Sequence, residues 1–276
     1  MRIYILILLL AVISGCSTQF AYKHLDWIIF WYSEDFVTLD ENQQNLFEEN
    51  VLTLLDWHKS SELPLYQQQL IKLKNDFNNG ELNKASIELH REAIYKHWIS
   101  IRSKVNSQAI PLIKKLNNGQ IEGLFSELQK NNKERLEDYS KLNSDEKLEL
   151  FSNRWIDTIK TVLGSTNEQQ LIALKGYIST QHDLTTLRLD YLSSYQAELQ
   201  NAMMDPMNTS KVISLLDNPI QYQSEQYQIK LKENKISTSA YLAELIDTLT
   251  LTQKNHFNKF ITDQIDWIDS IKLDNS

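Results

Sequence analysis

The sequence predicts an all-α protein built as an elongated multi-helix bundle. The chain has only 6 glycines and 4 prolines among 276 residues, whereas average usage would give roughly 33 of the two together. Few turns of the kind that β-rich folds need can therefore form. Apolar residues also recur three and four positions apart through most of the chain, and this spacing places them on one face of a helix.

The first predicted element is an N-terminal lipoprotein signal peptide at residues 1–15. Its apolar run, Ile3–Ile13, has eleven residues, too few for a membrane-spanning helix of about 20 but suited to a signal-peptide core of about 7–15. Ile13-Ser14-Gly15-Cys16 follows the bacterial lipobox pattern. We therefore expect cleavage between Gly15 and Cys16 and attachment of a diacylglyceryl group to the Cys16 thiol. The alternatives are an ordinary secretory signal and an anchor helix that ends in a chance cysteine.

The cysteine count favours lipidation, because Cys16 is the only cysteine of the chain. The mature chain then has no other thiol and no disulfide. Its partner is the membrane, since two or more acyl chains give stable anchoring. Residue 17 is Ser rather than Asp. By resemblance to the sorting pattern of Gram-negative lipoproteins, this implies the outer membrane, with the chain on its periplasmic face.

Charge argues against a nucleic-acid partner. Removal of residues 1–15 takes away one basic residue and no acidic residue, so the formal net charge changes from −8 to −9. No run of Lys and Arg alternates with aromatic residues. An acidic surface of this kind repels phosphates.

Four apolar stripes predict helices in chain order. They run from Phe47 to His58, from Tyr66 to Phe77, from Ile87 to Val105 and from Leu148 to Val162. Residues 168–204 contain one glycine and no proline, which predicts a single helix of ~55 Å. The breaks between helices are too short to be linkers. We expect one helical domain over residues 16–276, or, as an alternative, two lobes that meet near residue 141.

Four helix starts share one pattern, in which an apolar residue precedes a capping residue and Gln or Glu follows three positions after the cap. They are Leu39-Asp40 with Gln43, Leu116-Asn117 with Gln120, Leu142-Asn143 with Glu146, and Leu249-Thr250 with Gln253. The cap side chain accepts from a backbone N–H of the first turn, and the later side chain reaches back to the cap. Because their spacing is irregular, these sites indicate capping boxes rather than a solenoid repeat.

Seven aromatic residues lie within residues 20–36. They are Phe20, Tyr22, Trp27, Phe30, Trp31, Tyr32 and Phe36. One interpretation makes this segment the central helix of the bundle, and the other places it in the bilayer interface, where Trp and Tyr are enriched. Interfacial helices usually carry Lys and Arg, whereas this segment has Lys23 against three acidic residues. We therefore favour the central helix.

Candidate catalytic or metal-binding residues are few. The candidate pairs are His58 with Glu62, Glu88 with Glu92, and His90 with His97. The first two pairs have the four-residue spacing that places side chains on one helix face. The two histidines of the third pair are ~10.5 Å apart along a helix, too far to share one zinc ion at ~2.1 Å without other ligands. HExxH, CxxC, GxSxG and Gly-rich phosphate loops are absent from the sequence, so we expect no catalytic residue, no metal and no cofactor.

Several short motifs carry a family resemblance. They are Tyr22-Lys23-His24-Leu25-Asp26-Trp27, Trp31, Leu39 to Gln43, Trp57-His58, Glu62-Leu63-Pro64, Tyr66, and the later Arg154-Trp155 and Leu163-Gly164. Together with the lipobox, they resemble an uncharacterised bacterial lipoprotein family, the domain of unknown function numbered 6279. The resemblance implies a Gram-negative helical lipoprotein with no assigned activity.

Three functions remain as expectations. The first is a structural or protein-interaction role for a lipid-tethered helical body that offers a surface to a periplasmic or envelope protein. The second is a chaperone-like binding module, because the capping boxes resemble the LTxxQ signature of small periplasmic stress chaperones. The third is a hydrolase of envelope polymers, which needs acidic residues such as Glu62 and Glu92 in one cleft.

Overall fold

The computed structural model describes residues 21–205 and 207–273, and within them it confirms the all-α fold, with eleven α-helices and no strand. The helices are α1 (Leu25–Glu34), α2 (Glu41–Trp57), α3 (Leu63–Asn78), α4 (Lys84–Ile113), α5 (Asn118–Lys141), α6 (Ser144–Leu163), α7 (Glu168–Ser179), α8 (Thr185–Met204), α9 (Thr209–Asp217), α10 (Glu225–Asp247) and α11 (Leu251–Leu273). A π-helical turn, His58–Glu62, joins α2 to α3, and a 3-10 turn, Pro219–Tyr222, precedes α10. The predicted signal peptide and Cys16 lie outside the described residues.

Helix α4 lies at the centre of the packing. It contacts α2, α3, α9 and α10, while α5 packs along α8, and α11 packs against α3 and α6. With 30 residues, α4 is the longest helix of the described chain, about 45 Å at 1.5 Å per residue. No helix in the described part of the chain is both long and apolar enough to cross a membrane.

Three separate clusters of buried side chains form the core. The first combines Phe77 and Leu82 with residues of α6, α7 and α10, and the second combines Ile121 and Phe125 with residues of α8 and α9. The third is smaller and packs Leu63 against Ile268 and Ile271. The first two clusters therefore draw on both sides of residue 141. The division into two lobes at that residue stays a prediction.

The single helix predicted over residues 168–204 is wrong, because the chain turns between α7 and α8. Polar side chains make this turn. The Asn234 side chain accepts from the His182 N–H and donates to the His182 carbonyl, both at 2.8 Å. The Asp183 side chain then accepts from the Thr185 N–H at 2.9 Å and starts α8. Because neither glycine nor proline is involved, composition gave no sign of the break.

The interpretation of the aromatic segment as a central helix is also wrong. Helix α1 has no buried residue, and its main contact is with α2, where Phe30 and Phe47 meet edge to face at 5.7 Å between ring centroids. Trp27, Trp31 and Tyr32, in contrast, are 62%, 58% and 56% exposed. The aromatic residues of α1 therefore divide between one that packs on α2 and three that are largely exposed.

The four predicted capping boxes are confirmed. In each box, the side chain of the capping residue accepts from the backbone N–H three positions later, and that later residue's side chain accepts from the N–H of the cap. Two further boxes, Asn83 with Ser86 and Asn167 with Gln170, start α4 and α7.

Four of the boxes are joined in pairs by their glutamines. Gln43 and Gln120 donate to each other's side-chain oxygens at 3.0 and 2.6 Å. Gln170 and Gln253 do the same at 3.1 and 2.9 Å. The remaining amide hydrogens reach backbone carbonyls, such as that of Lys115 for Gln43 and that of Ser165 for Gln253. We call each of these arrangements a glutamine pair.

Candidate functional site

The most polar buried cluster of the described residues forms around the π-helical turn. At this turn the Leu63 N–H donates to the His58 carbonyl, five residues back. Pro64 follows at the start of α3, and a proline lacks the N–H that would continue the α-helical ladder. The wider turn absorbs this missing bond and keeps α2 and α3 connected. His58 and Glu62 are the first and last residues of this turn.

Glu62 is buried against α4, with only 2% of its surface exposed. The Ser100 hydroxyl donates to its Oε1, and the His97 Nδ1 lies 3.2 Å from its Oε2. His97 and Ser100 are three residues apart, so both project from the same face of α4. The carboxylate therefore has a partner on each oxygen without contact with solvent.

A series of aromatic rings extends from this carboxylate to the last helix. Tyr66 meets His97 edge to face at 4.9 Å and His58 at 5.6 Å between ring centroids. The Tyr22 hydroxyl lies 2.9 Å from the His58 Nδ1, and the Tyr22 ring meets Trp267 of α11 at 5.8 Å. We call these five rings, with Glu62 and Ser100, the ring cluster. It ties the segment before α1 to α3, α4 and α11.

Burial governs ionisation in the ring cluster. It lowers the pKa of His58 below the usual 6.5, although the Glu62 carboxylate acts in the opposite direction. Burial also raises the pKa of Tyr22 to about 12 and raises the pKa of Tyr66, to which Glu62 adds. With His58 neutral and Tyr22 protonated, one hydrogen bond joins the Tyr22 hydroxyl to Nδ1, and its direction depends on which imidazole nitrogen carries the hydrogen.

Two buried donors of the ring cluster have no hydrogen-bond partner among the residues that the structure describes. They are the Tyr66 hydroxyl and the Trp267 Nε1. Each such group carries a desolvation penalty of about 1–3 kcal/mol. The carboxylate of Glu62 thus has a hydrogen-bond partner on each oxygen, whereas these two donors have none. The packing of the aromatic rings contributes stability that offsets this cost.

Of the predicted pair His90 and His97, only His97 belongs to the ring cluster. His90 is buried, with its Nε2 2.9 Å from Asp76 and its Nδ1 2.6 Å from the Gln69 amide. A hydrogen bond from Lys72, assisted by His90, holds the pKa of Asp76 below its usual value. His90 and His97 thus have different carboxylate partners.

No group of three or more His, Cys, Asp or Glu side chains is placed to hold a metal ion within residues 21–205 and 207–273. The expectation of a chain without metal, cofactor or catalytic residue stays a prediction. The acidic pairing that a hydrolase needs is not formed as expected, because Glu62 is buried and Glu92 is exposed. Glu62 is closed to a polymer substrate in this arrangement, and the hydrolase hypothesis stays a prediction.

Sequence reasoning placed His58, Glu62 and His97 among the candidates but missed Tyr22, Tyr66, Ser100 and Trp267. The spacings of Ser100 after His97 and of Tyr66 after Glu62 are the local signals that could have added residues. Tyr22 and Trp267 approach His58 only through tertiary packing, which spacing along one helix does not report.

Comparison with known proteins places this chain in a family. Neither a curated protein nor a solved structure matches the sequence. The model of a family of unknown function, DUF6279, matches residues 35–228, from just after α1 to the start of α10. The match covers more than half of the chain and includes the π-helical turn and Glu62. The chain therefore belongs to the DUF6279 family.

Proposed function

We propose that the chain is a lipid-anchored helical body on the periplasmic face of a Gram-negative outer membrane, with a structural or protein-interaction role. The observation that carries the proposal is the lipobox, in which Ser14-Gly15 precedes the sole cysteine of the chain, Cys16. The buried ring cluster suits this role, because it fixes helices against one another and presents no reactive group to a substrate. The partner is an envelope or periplasmic protein that tolerates an acidic surface.

Processing of the leader tests this proposal. Cys16→Ser should leave an unprocessed precursor, because only a thiol accepts the diacylglyceryl group. Ser14→Ala keeps a small residue before the cleavage site and should be processed like the natural chain. Ser17→Asp should move the mature chain from the outer to the inner membrane. Natural chain recovered without fatty acid from the soluble periplasm would contradict the anchor.

A chaperone-like binding module is the second candidate. The glutamine pairs favour it, since they give the boxes that resemble the LTxxQ signature a tertiary role that capping alone does not require. A holdase also needs an open apolar patch of more than a few hundred Å². Beyond α1, the exposed large apolar side chains are spread over α2–α7, α10, α11 and the connection between α8 and α9, which contains Met207, and such a spread is ordinary for a folded surface.

An aggregation assay separates the two candidates. A chain that begins at Thr18 should not suppress the aggregation of a heat-unfolded model client at equimolar ratio. Clear suppression would favour the chaperone.

A further inference from the structure

We propose that α1 lies flat on the surface of a phospholipid bilayer and places Trp27, Trp31 and Tyr32 among the lipid headgroups. The inference rests on the proposed anchor at Cys16 for its proximity to the membrane. It goes further in that it assigns a membrane contact to a folded part of the chain.

The exposed face of α1 is the first observation. Trp27 and Trp31 are one helical turn apart, and their rings are stacked at 6.3 Å with an interplanar angle of 12°. Tyr32, the next residue, is also more than half exposed. An adjacent side of the helix is occupied, because Phe30 packs on Phe47 of α2. The other four tryptophans of the chain, Trp57, Trp98, Trp155 and Trp267, are all partly buried. The two exposed tryptophans therefore occur together on a helix whose main contact is with α2 alone.

The chemistry of these side chains fits a headgroup layer. Tryptophan and tyrosine are amphipathic and are enriched where hydrocarbon gives way to water. Helix α1 has ten residues, about 15 Å, whereas a hydrocarbon core is about 30 Å thick. The helix therefore fits along the surface and not across the bilayer.

The position of α1 in the chain indicates that the exposed face contacts the bilayer. Leu25 is nine residues after Cys16, and nine residues span at most about 30 Å. A lipidated Cys16 thus holds the exposed face close to the membrane, where even a weak contact forms readily. A second copy of the chain is the less suitable occupant, because three half-exposed rings offer roughly 400 Å², whereas a stable dimer buries about 800 Å² on each partner.

The charges near this face favour neutral lipids. Asp26 is in the first turn of α1, and Glu34 and Asp35 are exposed at its end. Negative lipids attract basic segments, so these carboxylates are better matched to phosphatidylethanolamine than to an anionic surface.

Contact quenching of tryptophan tests the proposal. The full chain is expressed with its leader, purified from membranes, checked for fatty acid by mass, and reconstituted in phosphatidylethanolamine and phosphatidylglycerol vesicles with or without bromine near the headgroup end of the acyl chains. We expect bromine to quench the share of emission that belongs to two of the six tryptophans. The quenching should be lost in Trp27→Phe/Trp31→Phe and retained in the matched control Trp98→Phe, because Trp98 lies in the bundle.

The outcomes separate this inference from the anchor. A lipidated chain without quenching overturns the contact of α1 with lipid and leaves the anchor intact. A purified chain without fatty acid overturns the anchor. That chain is then mixed with the brominated vesicles. Quenching of its tryptophans supports the contact of α1 with lipid, and the absence of quenching overturns that contact. Self-association that is lost in Trp27→Ser/Trp31→Ser, without quenching, assigns the face to a second copy and overturns the proposal.

Discussion

Glu62 shows how a single side chain can link the π-helical turn to α4. It ends the π-helical turn, accepts from Ser100 and pairs with His97 on α4, and raises the pKa of the neighbouring Tyr66. The four-residue spacing of His58 and Glu62 was readable from the sequence, and both residues belong to the ring cluster. Their partners were not readable, because Ser100 is 38 positions away from Glu62 and Trp267 is on the last helix.

Truncation of Glu62 should destabilise the protein more than truncation of an exposed glutamate. Glu62→Ala leaves the Ser100 hydroxyl and the His97 ring unpaired in a buried site, at a cost of about 1–3 kcal/mol in the free energy of unfolding. Glu92→Ala, on the exposed face of α4, should change it by less than about 0.5 kcal/mol. Urea unfolding followed by circular dichroism measures both. Equal effects would show that the Glu62 contacts contribute nothing.

Acidification should weaken the fold through His58. Burial lowers its pKa in the folded protein below 6.5, so the unfolded chain binds more protons once the pH falls below about 6.5. The free energy of unfolding therefore decreases from that pH downwards, and the decrease from this residue ends below the folded-state pKa. His58→Asn cannot take up this proton and should lose less stability between pH 7 and pH 5. Identical pH profiles for the natural chain and the variant would contradict this assignment.

Most helices agree with the predictions from the sequence. The exceptions arise where tertiary contacts determine the structure. Capping chemistry is local, so the residues at which α2, α5, α6 and α11 begin could be predicted from the sequence. The side of α1 that faces the bundle could not, because aromatic content alone does not distinguish a surrounded helix from an exposed one. Likewise, the turn between α7 and α8 depends on Asn234, 52 residues after His182.

Each glutamine pair should behave as one energetic unit. Gln43→Ala and Gln120→Ala each remove both reciprocal bonds, so the two substitutions together should cost less than the sum of their separate effects. We expect a coupling free energy of about 0.5–3 kcal/mol. Gln43→Ala combined with Gln170→Ala is the matched control, because the two residues belong to different pairs, and their effects should add within about 0.5 kcal/mol. Equal coupling in both cycles would argue against specific pairing.

Across the whole molecule, the packing of the core bears on the division near residue 141. Each side of that residue contains one complete glutamine pair, at 43 and 120 and at 170 and 253. The two larger core clusters, in contrast, are shared between the sides. The glutamine pairs therefore respect the division at residue 141, whereas the two larger core clusters cross it.

Cleavage of the chain at the α5–α6 connection should leave two fragments that stay together. A protease site inserted between Lys141 and Leu142 interrupts no helix pairing and no glutamine pair. After cleavage, we expect the fragments to co-elute in gel filtration with unchanged helicity and to separate in urea, because each completes the buried clusters of the other. Fragments that separate without denaturant and remain fully helical would instead establish two independent lobes.

The glutamine pairs also restrict which amino acids can stand at four positions of the sequence. In an ordinary capping box, glutamate serves as well as glutamine, and Glu146 fills that position in the exposed box that starts α6. A paired position needs a side chain that accepts from the cap and also donates to its counterpart and to a carbonyl. A carboxylate has no hydrogen to donate. Glutamate at the third residue of a helix therefore suits a helix start that faces water, as in α6. Glutamine is needed where two helix starts pack against each other.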